Sequence, residues 1–157
     1  MQDISNVTTN TTSDETMKDQ YLTFAIGDED YGVEIAYINQ IIKMTPITRV
    51  PEIPGFIEGL ISLRGELIGV IDVRKRFGMP PKKHDEETCI VVIVYGDYML
   101  GMIVDAVQET VTINHTNISP PPSAKLSYAN QFIRNIGTIG DDDVKLLIDV
   151  ERFLSQE

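Results

Sequence analysis

The side chains able to do chemistry are few and scattered. His84 stands in the charged stretch "KKHDEET" and His115 in the polar stretch "NHTNIS", and neither has a histidine or cysteine neighbour at metal-ligand spacing. Both read as solvated surface. The single cysteine, Cys89, opens the apolar run "CIVVIVY", where a thiol serves as a small buried hydrophobe and has no partner for a disulfide. The carboxylate runs Asp28-Glu29-Asp30 and Asp141-Asp142-Asp143 lack the alternating spacing and distal glutamate of a calcium loop. No serine sits in a nucleophile elbow, and no glycine-rich loop opens a helix. The expectation is a non-enzymatic chain with no cofactor and no bound metal.

One charged residue stands apart. In "GFIEGLISLRGELIGVIDVRKRFG" (Gly55 to Gly78) the apolar, strand-forming residues are interrupted by Arg64-Gly65. A guanidinium offers five donors in a planar fork, suited to holding carboxylates or backbone carbonyls in fixed geometry. Arg64 either serves a contact outside the fold or pairs with an internal carboxylate such as Glu66.

The elements that must position it read mainly as β-structure. "YLTFAI" alternates, "GDED" turns, and "YGVEI" alternates again, the pattern of a hairpin. "AYINQIIK" is a strand or a single turn. Pro46, Pro51 and Pro54 then exclude a long regular element. "LISLRGELIGVIDV" reads as two strands meeting near Arg64-Gly65, and Asp72 caps a short helix through Phe77. After the polar linker "MPPKKHDEET" come a second hairpin around Gly96-Asp97 and the alternating "AVQETVTI". The loop "NHTNISPPPSAKLSYANQ" reads as irregular. Two more strands follow, flanking the acidic turn, and Asp149 caps a last helix.

The two halves of this pattern repeat. "GDEDYGVEIAYINQII" lies on "GDYMLGMIVDAVQETV" without gaps at an offset of 69, and "VIDVRKRF" lies on "LIDVERFL" at an offset of 77. The reading is two pseudo-two-fold related five-stranded barrels, roughly 20–80 and 86–157, after a flexible polar tail over 1–18. Around the position of Arg64-Gly65 the second half carries "GDDD", so a cation in one half meets carboxylates in the other. A purely structural need would have been met alike in both.

Composition narrows the partners. With 157 residues, 42% of them hydrophobic, the chain can build a core, and its 24 acidic against 13 basic residues give a net charge of −11. That balance opposes binding to nucleic acid or anionic lipid, which depends on neutralising phosphate charge. The N-terminus has neither a basic start nor an apolar core, so no secretory signal is read there, and no apolar run is long enough to span a bilayer. The reading is cytoplasmic, without membrane insertion.

The segment "YGVEIAYINQIIKMTPITRVPEIPGFIEGLISLRGELIGVIDVRKRFG" resembles the CheW family of bacterial chemotaxis coupling proteins, and the likeness runs from about Gln20 to Leu154. The resemblance implies two intertwined Src-homology-3-like barrels. It also implies an adaptor that links the cytoplasmic tips of chemoreceptors to the CheA histidine kinase in membrane-bound arrays. On this likeness Arg64, Gly59 and Ile38 fall in the receptor-coupling motif. Gln40 stands where many members have a glutamate, and Gly69 replaces a common proline. An adaptor must engage two partners at once, so a second surface is expected. The proline-punctuated loop from Met44 to Pro54 presents Ile47, Val50 and Ile53 for the kinase's regulatory barrel domain. The alternative reading is a stand-alone CheW-like regulatory module of another two-component system.

Overall fold

The structure, a computed structural model, describes residues 18–52, 56–121 and 130–155. Two hairpins of the same construction set its plan. Strands β1 (Gln20–Ile26) and β2 (Glu29–Glu34) form the first, and β6 (Cys89–Tyr95) and β7 (Tyr98–Val104) the second. Each turns through a glycine with positive φ, Gly27 at 63° and Gly96 at 60°, where a β-carbon would be strained. The ambiguous "AYINQIIK" resolves into one 3-10 turn, Ile35–Tyr37, followed by strand β3 (Ile38–Lys43). Strands β4 (Ile57–Leu63) and β5 (Glu66–Asp72) follow, then helix α1 (Val73–Phe77), and β8 (Ala106–Thr112) comes after the second hairpin. The stretch expected to be irregular carries a 3-10 turn at His115–Asn117 and the two-residue strand β9 (Ile118–Ser119). Strands β10 (Ile133–Ile139) and β11 (Asp143–Ile148) and helix α2 (Val150–Leu154) follow. The carboxylates of Asp72 and Asp149 accept from backbone N–H groups in the first turns of α1 and α2, as the sequence predicts.

The strands assemble into two small barrels that exchange their first hairpins. One sheet runs β8-β1-β2-β11-β10-β9, the other β3-β6-β7-β5-β4. The barrel built on the second sheet is therefore contiguous along the chain, from Ile38 to Val104. The other is assembled from Gln20–Glu34 together with the strands from Ala106 onward. Each hairpin joins its host through a parallel pairing: Tyr31 lies opposite Leu146, and Leu100 opposite Gly69. These pairs map onto each other at the offsets of 69 and 77 read from the sequence. Even the bridge between Thr48 and Leu60 has its counterpart in Ile118 opposite Gly137.

Among the described residues, three apolar clusters hold the arrangement. Each barrel has its own interior, with Ile61, Ile68, Val70, Ile90, Val92 and Ile103 in one and Tyr21, Ile113 and Leu147 in the other. A larger cluster lies between the barrels and includes Phe24, Tyr31, Phe77, Ile93, Phe132 and Phe153. Strands β1 and β6 serve both, one face in a barrel and the other in the shared core. Burial on both faces explains why "CIVVIVY" is apolar throughout instead of alternating.

Ionic clamps close the seams. Arg74 grips Asp105, at the crossover from β7 to β8, through Nε at 3.0 Å and Nη2 at 2.7 Å, while the Gly27 N–H donates to the same carboxylate at 2.8 Å. Burial alone would raise the Asp105 carboxyl, but these donors reverse it and hold the group below the usual carboxylate range. Lys145, almost fully buried, reaches Asp30 at 3.0 Å and Asp143 at 3.3 Å. Its desolvation favours the neutral amine, and the two carboxylates outweigh that and keep it charged. His84 and His115 are exposed, and Cys89 is half-buried, its thiol pushed up by burial.

Candidate docking surface

Arg64 and Gly65 form the two-residue turn between β4 and β5, with Leu63 paired to Glu66 across it. Both have positive φ, 54° for Arg64 and 85° for Gly65. That is the pattern of a type I′ hairpin turn, where asparagine followed by glycine is the favoured sequence. An arginine there sits in backbone strain of about 1–2 kcal/mol. Its side chain is exposed and forms no hydrogen bond or ion pair with any described residue, Glu66 included. The internal-pairing reading of Arg64 is therefore not what the structure shows. The equivalent turn of the other barrel is one residue longer, Gly140 to Asp142, and presents carboxylates. The contrast between cation and carboxylates read from the repeats holds in three dimensions.

The other residues of the expected receptor motif lie on the same barrel, in different settings. Gly59 has ordinary φ, so it is not a left-handed turn. A β-carbon there would lie 2.6 Å from both Ile47 Cγ2 and the Thr48 carbonyl oxygen. Its bareness admits the chain's own segment, which Thr48 and Leu60 lock with two backbone hydrogen bonds of 2.8 Å. Ile38 is half-buried, packs on the central core and lies opposite Ile93. A register shift follows, so Gln40 lies opposite Val92 on the barrel-interior side, and its Nε2 donates to Asn39 Oδ1 at 3.1 Å. Ile38 and Gln40 thus share strand β3 but not a face. Strands β3 and β4 are the two ends of the sheet order. For the expected kinase surface, Ile47 is half-buried against the barrel interior, whereas Val50 is 39% exposed. Ile53 lies outside the described residues.

Sequence reasoning missed an apolar strip. Leu67 and Tyr98 are the most exposed large apolar side chains among the described residues, at 70% and 69%. Tyr98 lines an open groove of about 410 Å³ together with Phe56, Ile57, Tyr95, Leu100 and Leu154, and Glu151 stands at its lip. None of Arg64, Gly59, Ile38 or Gln40 lines it. Two alternating strands look the same whether their outer face is covered or bare, so periodicity gave no signal. The repeat alignment did hold one: it sets Leu100 against Tyr31 and Leu154 against Phe77.

The fold and its exchanged hairpins now have comparisons. Residues 20–157 match the model of the CheW-like domain. The chain belongs to the CheW family. It is 31% identical over 143 residues to the chemotaxis protein CheW of Klebsiella aerogenes, covering 91% of this chain and 86% of that one. It is 35% identical to the CheW of Helicobacter pylori, covering 88% and 82%. The crystal structure of the scaffolding protein TtCheW from Thermoanaerobacter tengcongensis superposes with a TM-score of 0.76 at 34% identity, covering 83% of this chain and 88% of that one. The expected pair of Src-homology-3-like barrels and the expectation of a chemotaxis adaptor are borne out. The alternative of a regulatory module from another system is not favoured. A CheW-family barrel pair offers a partner surfaces and exposed charge, and the observed geometry has that character.

Proposed function

We propose that this chain is a non-enzymatic adaptor that binds the CheA histidine kinase and the cytoplasmic tips of chemoreceptors together, working in the cytoplasm at membrane-bound arrays. Arg64 makes the charged contact to the receptor tip, a helical hairpin. Ile38 and Gln40 contribute from β3 of the same barrel, and Gly59 contributes by the close packing it allows. The segment from Met44 to Pro54 meets the kinase's regulatory barrel domain through Val50 and Ile53, with Ile47 anchoring the segment to the barrel. The observation that carries this reading is Arg64 itself. It is an exposed cation, without a partner among the described residues, in a conformation that asparagine or glycine would adopt with less strain, and such strain persists where function requires the side chain.

Co-sedimentation with the cognate kinase and receptor fragments tests the bridge. The wild type should carry both into one pellet. Arg64→Ala should lose the receptor and retain the kinase, and Val50→Asp should do the reverse. A wild type that brings down neither partner, or variants that lose both together, would overturn the assignment.

A further inference from the structure

The groove beside Leu100 breaks the internal symmetry of the fold in an informative way. At the offsets of 69 and 77, its lining residues Leu100 and Leu154 are equivalent to Tyr31 and Phe77. Those two are fully or almost fully buried, their rings 5.3 Å apart, and Phe77 continues into Phe132 and Phe153 at 5.6 and 5.8 Å. One side of the molecule is thus sealed by an aromatic cluster. On the other side the same backbone carries two leucines, and the space stays open. Its walls are nonetheless held firmly. The Arg76 guanidinium stacks 4.2 Å over Phe56 and 4.7 Å over Phe132, and donates to the carbonyls of Phe153, at 3.0 Å, and of Ser155. Arg76 thereby ties Phe56, on one wall, to the end of α2, on the other.

We propose that this groove is a docking site for an amphipathic helix of a partner protein, whose aromatic side chain takes the place that Tyr31 and Phe77 fill on the opposite side. The surface is a sheet face flanked by paired strands, so it offers no free backbone donors to an added strand. Side-chain packing is what it can provide. Along β7, Leu100 and Tyr98 are two residues apart, about 7 Å on a strand, close to the roughly 6 Å between positions i and i+4 of a helix. A helix lying along β7 therefore sets one apolar side chain against Leu100 in the depth of the groove and the next against Tyr98 in its wall. Glu151 at the lip, beside Tyr95, calls for a basic residue within a turn of the aromatic one. This site involves none of the residues assigned to the receptor or the kinase above, and it stands or falls separately from them.

The test uses a fluorescently labelled, lactam-stapled amphipathic helix carrying Phe and Leu four positions apart and a lysine within one turn of the Phe. Anisotropy titration of the full-length protein should show saturable binding, which a Phe→Ser version of the peptide loses. The double variant Leu100→Tyr with Leu154→Phe fills the groove as the symmetry mate is filled. It should melt no lower than the wild type and bind at least tenfold more weakly. Tyr98→Ser, a surface change, should weaken binding without altering the melt, and covers the case in which the double variant does not fold. Glu151→Gln should remove part of the salt dependence. No binding by the wild type, or undiminished binding by both the filled and the Tyr98→Ser proteins, overturns the proposal. So does a wild-type dimer in sedimentation that the filled variant abolishes, because the occupant would then be a second copy.

Discussion

Replacing Arg64 by asparagine should move stability and function in opposite directions. The backbone at φ 54° is left-handed, which costs an ordinary L-residue about 1–2 kcal/mol. Asparagine is among the residues that adopt this region most readily, and Asn-Gly is the preferred pair for such a turn. Recovering about 1 kcal/mol raises the melting temperature of a chain this size by roughly 2–4 °C. No described residue loses a partner, since Arg64 has none among them. Function should go the other way. A charge-assisted hydrogen bond to a partner contributes about 1.5–3 kcal/mol, so its loss weakens receptor coupling by roughly ten- to a hundredfold. Calorimetric melts and receptor-coupled kinase phosphorylation on one preparation read both quantities. A lower melting temperature would mean that the guanidinium supports the fold. A higher one with full coupling would mean that the strain serves nothing at this surface. Either result refutes the reasoning.

Other substitutions separate shape from contact. Gly59→Ala forces a β-carbon against the Thr48 carbonyl, so it should cost about 1–3 kcal/mol and lower the melt by roughly 2–12 °C; an unchanged melt with lost coupling would make Gly59 a direct contact. Ile47→Asp should destabilise the barrel, because Ile47 packs on its interior, whereas Val50→Asp should leave the melt within a degree or two and weaken only kinase binding, as calorimetry would show. Asp105 and Glu58 both titrate below their ordinary values because of paired cations, Arg74 for the first and Arg49 with Lys75 for the second. Depressed carboxyls stabilise the fold above the unfolded carboxylate pKa, and that contribution is lost as pH falls through the folded values. Asp105→Asn should therefore lower the urea midpoint at pH 7, with the gap to wild type narrowing below about pH 4; a constant gap would show that the charge is not involved.

Much of this was legible in the residues, and the gaps have physical reasons. The hairpins announced themselves because Leu22, Phe24 and Ile26 must share one face and a glycine must turn the chain after them. The two offsets carried over into the structure nearly residue for residue, down to α1 and α2. The exchange of hairpins was not legible. Leu146 and Gly69 belong to equivalent strands of the two halves, and nothing in an alternating pattern says which half's hairpin each will flank. The strain at Arg64 was hidden for a related reason. Arg-Gly between two strands locates the turn, but φ follows from a two-residue connection and the twist of the strands beside it. Gly59 shows the opposite limit. The family likeness placed it in the receptor-coupling motif, and only the fold shows that the neighbours its bareness admits are Ile47 and Thr48 of the same barrel.

The nested order of the two barrels has a consequence for how the protein is made. Everything needed for the barrel of Ile38–Val104 has been synthesised once Val104 is added, since all five of its strands lie within that span. The hairpin of Gln20–Glu34 is older but must wait for β8 and β11. At bacterial synthesis rates, covering the roughly seventy residues between that hairpin and β8 takes about 4–14 s. A lone two-stranded hairpin is marginally stable in water, and its unpaired edges are open to other nascent chains. The inner barrel thus gives the waiting hairpin a finished apolar face to rest on, and strands β8 to β11, translated later, close the outer barrel around it. Ribosomes stalled far enough past Val104 for β7 to clear the exit tunnel, but before β11 emerges, should carry a protease-resistant inner barrel and a cleavable N-terminal hairpin.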